Sequence, residues 1–231
     1  MNFYTAAVSI SGMLLELLCV VFLLRGSYRT YPVLLTSCLV MLFGTVAVGV
    51  SLRLTGFDSG IYRHTYWTVD VVDYFARFLV VVSLIYQVTE GSVMRHALKR
   101  ILTIVALGAV ALPFILYHPY FNWRWFRHTS QLLNLSAAFM NLLLWTAILG
   151  SKGKRDRQLL MVSVGIGVSV TGVAITYGML QFMGSANLRW LPDVFKSLSE
   201  AAGVAIWCWA FWPAVARSSG RPHPTAQQAP V

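Results

Sequence analysis

Charge is what this chain has least of. Only 11% of its 231 residues are Asp, Glu, Lys or Arg, and just eight are acidic. A soluble domain is nearer a quarter charged. With 57% hydrophobic residues and a mean hydropathy of +0.66, there is too little polar surface to cover a water-soluble globule of this size. Cysteine is scarce as well. Cys19, Cys38 and Cys208 all fall inside apolar runs with no CxxC pairing, which leaves a disulfide framework or a zinc site without support; they read as small buried hydrophobes. The five histidines avoid the middle of every apolar run. His64, His118 and His128 stand at one set of ends, and His96 and His223 at the other. That excludes intramembrane bis-His haem ligation, and the spacing of the first three supports no metal site. No HExxH, GxSxG or P-loop occurs. No nucleophile with a neighbouring base is recognisable, which ranks a lipid-modifying enzyme with an outer-leaflet site last among the readings, and no cofactor is expected. No inverted repeat of the transporter type is visible.

What remains are long apolar runs joined by short polar connectors, the pattern of a polytopic membrane protein. Seven runs are long enough to cross a bilayer: Phe3 to Leu24, Tyr31 to Leu52, Trp67 to Val88, Ile101 to Tyr117, Ser130 to Gly150, Leu159 to Met183 and Pro192 to Val215. Pro32 is tolerated in a first turn, Pro113 predicts a kink in the fourth span, and Pro192 opens the seventh. The expected fold is all-α, one bundle of seven transmembrane helices over residues 1–216. A short disordered tail follows from Arg217 to Val231, rich in Pro, Ser, Gly and Gln. The first span is long and no basic residue precedes it, so it reads as a retained helix rather than a cleaved signal.

The net charge of +10 invites a nucleic-acid reading, but the basic residues sit in connectors beside apolar spans, where they orient helices and meet anionic lipid. No Arg-rich helix or basic strand interleaved with aromatics is present, so nucleic acid is not an expected partner. Eleven Lys and Arg lie in the connectors of one side, including Arg25, Arg29, Lys152, Lys154 and Arg155; five lie on the other, Arg53, Arg63, Arg124, Arg127 and Arg189. The richer side is expected to be cytoplasmic, giving a multi-pass plasma-membrane protein with its N-terminus outside. The outer connectors also carry Tyr62, Tyr66, Trp67 and the dense run Tyr120 to Phe126, an aromatic belt or a lid over an outer cavity. Trp207, Trp209 and Trp212 read as an inner belt.

The ionisable residues inside the spans are the most informative feature, because such groups at membrane depth face the bundle interior and pair. The third span carries Asp70, Asp73 and Arg77; the seventh carries Asp193, Lys196 and Glu200. Each set has the spacing i, i+3, i+7, so each forms one stripe on its helix. Depths counted from Trp67 and Pro192 at roughly 1.5 Å per residue match opposite signs. They predict the pairs Asp73 with Lys196 and Arg77 with Glu200, and two helices that pack together or share a small cavity. Asn134 and Asn141 on one face of span five, and Tyr177 and Gln181 on span six, are the other candidate site residues at similar depth. Glu16, alone in span one, reads as a neutral structural group. Span six shows two stripes of small residues, Ser163, Gly167 and Thr171 on one and Gly165, Ser169 and Gly172 on the other, which suit a central helix with neighbours on two sides.

Seven helices, an outside N-terminus and Lys196 after Asp193 resemble the retinal-binding microbial rhodopsins. In that family the Schiff-base lysine sits mid-membrane, four residues after an Asp. Here the spacing is three, Lys196 is close to the outer end, and the third helix lacks that family's carboxylate pattern, so no retinal is expected. Through its span count, its aromatic and charged third helix and its short connectors, the whole chain resembles small uncharacterised seven-helix proteins of bacteria. These are similar to the seven-helix sensory input regions of some histidine kinases. That resemblance implies a sensory or partner-regulating role through a membrane or cytoplasmic signalling partner, and assigns no residue a role. The alternative is a small transporter or proton-linked channel using the charged residues of the third and seventh spans.

Overall fold

Away from water, every backbone N–H and C=O in an apolar run must be satisfied within the chain, and the α-helix does this inside a single segment. Helix is what these runs form, with no strand among the described residues. The structure, a computed structural model, describes residues 3–89, 100, 103–105, 107, 108, 111, 115, 123–150, 157–182 and 190–219. Helix α1 (Phe3–Phe22) runs into a π-helical turn (Leu23–Ser27), and α2 spans Pro32–Thr55, α3 Gly60–Val88, α4 Trp123–Gly150, α5 Arg157–Phe182 and α6 Trp190–Ser219. Most of the stretch expected as span four and most of the tail lie outside the described residues.

Local chemistry sets the ends. Pro32 occupies the first turn of α2, where its missing N–H costs nothing. Gly56 closes that helix at φ +78°, a conformation that favours glycine, and its N–H donates to the Leu52 carbonyl at 3.0 Å. Ser59 caps α3: its hydroxyl accepts the Ile61 N–H at 3.1 Å. Helix α3 therefore starts seven residues before the apolar run, and α4 starts seven before its own. Trp123 to Phe126 are thus the first turn of a helix rather than a connector. Helix α6 runs three residues past the expected end of the seventh span's domain, to Ser219.

Three described helices, over Pro32–Thr55, Trp125–Leu149 and Arg157–Leu180, are long and apolar enough to cross a membrane. The outer surface agrees with them. Phe43, Leu54, Leu135, Phe139, Leu142 and Trp209 are all at least 60% exposed, as side chains facing lipid would be.

The six helices form a ring in chain order, each packed on the next and α6 closing on α1, while α3 also touches α5 across it. Named contacts give the directions. Glu16 meets Thr45 and Cys19 meets Cys38, so α1 and α2 are antiparallel. Gln87 reaches the Thr30 carbonyl and Gly44 abuts Val69, so α2 and α3 are antiparallel. His64 and Phe126 touch near the starts of α3 and α4, which are therefore parallel. Asn134 meets Val170 and Asn141 meets Ser163, making α4 and α5 antiparallel; α5 and α6 are antiparallel through Trp207 on Val162 and Gly172 beside Ser199. Leu15 with Cys208 and Phe22 with Trp212 make α1 and α6 parallel. Helices α1, α3, α4 and α6 thus all begin at one end of the bundle, called here the upper end.

Small residues draw α5 into the ring. Its Gly165, Ser169 and Gly172 face α6 so closely that an added Cβ at Gly172 would land on the Ser199 side chain, and one at Gly203 on the Ser169 hydroxyl. On its other side the Ser163 hydroxyl donates to Asn141 Oδ1 at 3.1 Å, and Gly167 leaves room for the Asn141 amide. Thr171, expected on that second stripe, is exposed. Trp207 is core rather than belt: it is 1% exposed and its ring N–H donates to the Val162 carbonyl at 3.1 Å.

The large buried side chains, among them Tyr31, Leu34, Phe78, Leu84, Trp207 and Phe211, collect in the lower half of the bundle. The three cysteines meet there too, with Cys19 and Cys38 sulfurs 3.8 Å apart and Cys208 against Cys19. The upper half holds a cavity instead.

Candidate functional site in the upper half of the bundle

The cavity, about 820 Å³, lies among α1, α2, α3 and α6 and reaches the α2–α3 turn at Phe57. That volume is in the range of small-molecule sites. Helices α3 and α6 are not close packing neighbours; they face each other across this space and meet through charged side chains.

Two ties cross it. Lys196 Nζ donates to Asp70 Oδ1 at 2.7 Å. Arg77 Nη2 lies 2.6 Å from Asp73 Oδ2, one turn back on its own helix, and 3.2 Å from Glu200 Oε1 on α6. The Arg77–Glu200 pair expected from matched depth is present; the Asp73–Lys196 pair is replaced by Asp70–Lys196. Side chains on both helices lean toward their own N-termini, and the long Lys196 stem carries its ammonium up to the turn of Asp70. Asp73 is left to Arg77 at i+4, an ion-pair spacing that a helix favours.

Aromatic rings complete the ties. Lys196 Nζ lies 5.7 Å from the Tyr66 ring centroid and 5.5 Å from that of Tyr74, and Arg77 Cζ lies 5.5 Å from Tyr74. Distances near 6 Å are those of cation–π attraction. Arg77 is only 2% exposed, with Nε and Nη1 lacking a hydrogen-bond partner among the described residues. Asp193 is exposed at the rim.

The other sequence candidates lie elsewhere. Asn134 donates to the Val170 carbonyl at 3.1 Å, and Asn141 accepts from Ser163; both join α4 to α5 and neither lines the cavity. Tyr177, on α5, also stays outside the cavity. The Gln181 side chain lies outside the described residues.

The cavity adds residues that were not grouped with the stripes. Glu16 lines it from α1 and accepts the Thr45 hydroxyl at 3.3 Å. Phe57, Tyr62 and Tyr66 form its rim, with ring centroids 5.3 Å apart for Phe57 and Tyr62 and 6.3 Å for Tyr62 and Tyr66. A lone carboxylate in an apolar span was itself the signal for Glu16; the rim tyrosines are indistinguishable in sequence from a membrane belt.

No family model, no curated protein and no solved structure matches this chain.

Proposed function

We propose that this chain is a seven-crossing membrane protein of the plasma membrane whose upper cavity binds a ligand from outside, and that it passes occupancy to a partner. Three apolar helices and an apolar outer surface support membrane insertion. The helix directions support the seventh crossing: α3 ends at the lower end and α4 begins at the upper, so residues 89–122 return the chain over about 40 Å, the height of α3. Within that segment the described residues Thr103, Leu107, Ala111 and Ile115 are helical. The excess of Lys and Arg in the lower-end connectors supports an upper end that faces outside.

The observation that carries the functional reading is the one-sided cavity. Its lining runs from Tyr62 and Asp193 near the upper end to Glu16, Met41, Arg77 and Val204, and the buried Phe78, Leu34 and Phe211, further down their helices, are not part of it. A cavity confined to one half of the bundle suits binding and sensing better than passage. A ligand that competes for Asp70 or Glu200 changes the two side-chain ties that set how α3 stands to α6, and such a difference between states is what a signal requires.

The transport alternative draws on Glu16, which extends the charged groups from α3 and α6 to α1. Reconstitution in liposomes with an internal pH dye separates the two readings. The sensing reading expects no flux under any imposed proton or ion gradient, and flux abolished by Glu200→Ala would replace it with transport.

A further inference from the structure

The chemistry of the cavity wall restricts what it holds. Five of the chain's eight acidic residues line it, Glu16, Asp70, Asp73, Asp193 and Glu200. Against them stand Arg77 and Lys196, the two bases among the described lining residues. Even with Glu16 neutral, the carboxylates outnumber the cations.

The pairing leaves oxygens over. Lys196 takes Oδ1 of Asp70, and Oδ2 of that residue is buried without a partner among the described residues; Arg77 takes Oδ2 of Asp73, and its Oδ1 is likewise buried and unmet among them. The Asp70 side chain is only 10% exposed. A buried carboxylate that lacks full compensation in a poorly polarisable site is stabilised by positive charge brought to it. Arg77 also has Nε and Nη1 unmet among the described residues, but its charge is already faced by two carboxylates and the Tyr74 ring.

The rim adds a second, independent constraint. Phe57, Tyr62 and Tyr66 form a run of ring faces and edges beside Asp193. One of these rings already carries an ammonium, that of Lys196. Aromatic faces beside a carboxylate recognise organic ammonium groups. Below the rim the charged groups share the wall with apolar side chains, Met13, Met41, Val48, Leu52 and Val69. A bare metal ion fits poorly, because no group of three candidate ligands converges among the described residues.

We infer that the cavity takes an organic amine carrying one positive charge and a short apolar body. Its ammonium lies toward Asp193 and Tyr62, at the mouth of the acidic cavity, and its hydrocarbon part lies along Val48 and Leu52. This rests on the reading of the cavity as a ligand site.

The test uses the full chain in nanodiscs and three probes with the same body, n-butylammonium, n-butanol and butyrate, titrated by calorimetry. The expected result is saturable binding of n-butylammonium at least tenfold tighter than n-butanol, with no butyrate binding. Asp193→Asn, at an exposed rim position, and Tyr62→Leu, at a half-buried one, both apart from the buried ties, each weaken it about tenfold while the melting temperature stays unchanged. Binding of butyrate or n-butanol as tightly as the amine, lost in the same variants, would overturn the charge assignment and leave the cavity as a ligand site. Amine binding that neither variant weakens would place the ligand elsewhere and overturn both readings. No binding of n-butylammonium to the folded protein overturns the amine assignment.

Discussion

Arg77 of α3 and Glu200 of α6 meet at 3.2 Å across a cavity that keeps their helices apart. The contact is made by side chains over open space, so it acts as a strut, and the helices' relation depends on it.

Removing one member of a buried ion pair leaves the other uncompensated, at a cost of about 3–5 kcal/mol. Arg77→Ala strands both Asp73 and Glu200 and is expected to lower the melting temperature in detergent more than Glu200→Gln, which leaves Arg77 its partner Asp73. In a double-mutant cycle the two positions are expected to couple by about 0.5–3 kcal/mol. Strict additivity would argue that the strut does not form.

The stripes of α3 and α6 were legible because a 3.6-residue period places i, i+3 and i+7 together whatever the tertiary fold. Which carboxylate Lys196 takes was not legible, since Asp70 and Asp73 differ by less than one turn and the choice depends on side-chain lean. The early starts of α3 and α4 escaped a hydropathy reading because polar and aromatic residues fill their first turns, although Ser59 is an ordinary cap. Asn134 and Asn141 were correctly placed on one face, but seven-residue spacing cannot say whether that face meets a cavity or, as here, helix α5. Glu16 joins the site, and the three cysteines meet, only because α6 closes the ring on α1, a relation between the chain's ends that local pattern does not contain.

The α5–α6 contact predicts a contrast among glycines. Gly172→Leu and Gly203→Leu force the helices apart and are expected to reduce folded yield and melting temperature sharply. Gly12 and Gly49 line the cavity with nothing within 4 Å of an added Cβ. Gly12→Ala and Gly49→Ala are therefore expected to be neutral or to stabilise by up to about 1 kcal/mol, through helix propensity. Equal damage at all four positions would contradict this packing.

The asparagines of α4 hold it to α5 and do not line the cavity. Asn134→Leu and Asn141→Leu are each expected to cost about 0.6–1.7 kcal/mol, the range of interhelical hydrogen bonds in membranes. Affinity for n-butylammonium is expected to stay unchanged in both, as read by calorimetry; a loss of binding without a loss of stability would bring them into the site.

The proposed topology puts a charged cavity at the outer end of a seven-crossing bundle. Thiol labelling in intact cells tests it most directly, because Cys19, Cys38 and Cys208 are at most 7% exposed and supply little background. A membrane-impermeant maleimide is expected to label Asp193→Cys at the cavity rim in intact cells, and Tyr28→Cys, at the opposite end of α1, only after the membrane is permeabilised. Labelling of Tyr28→Cys from outside, with Asp193→Cys protected until permeabilisation, would contradict the account.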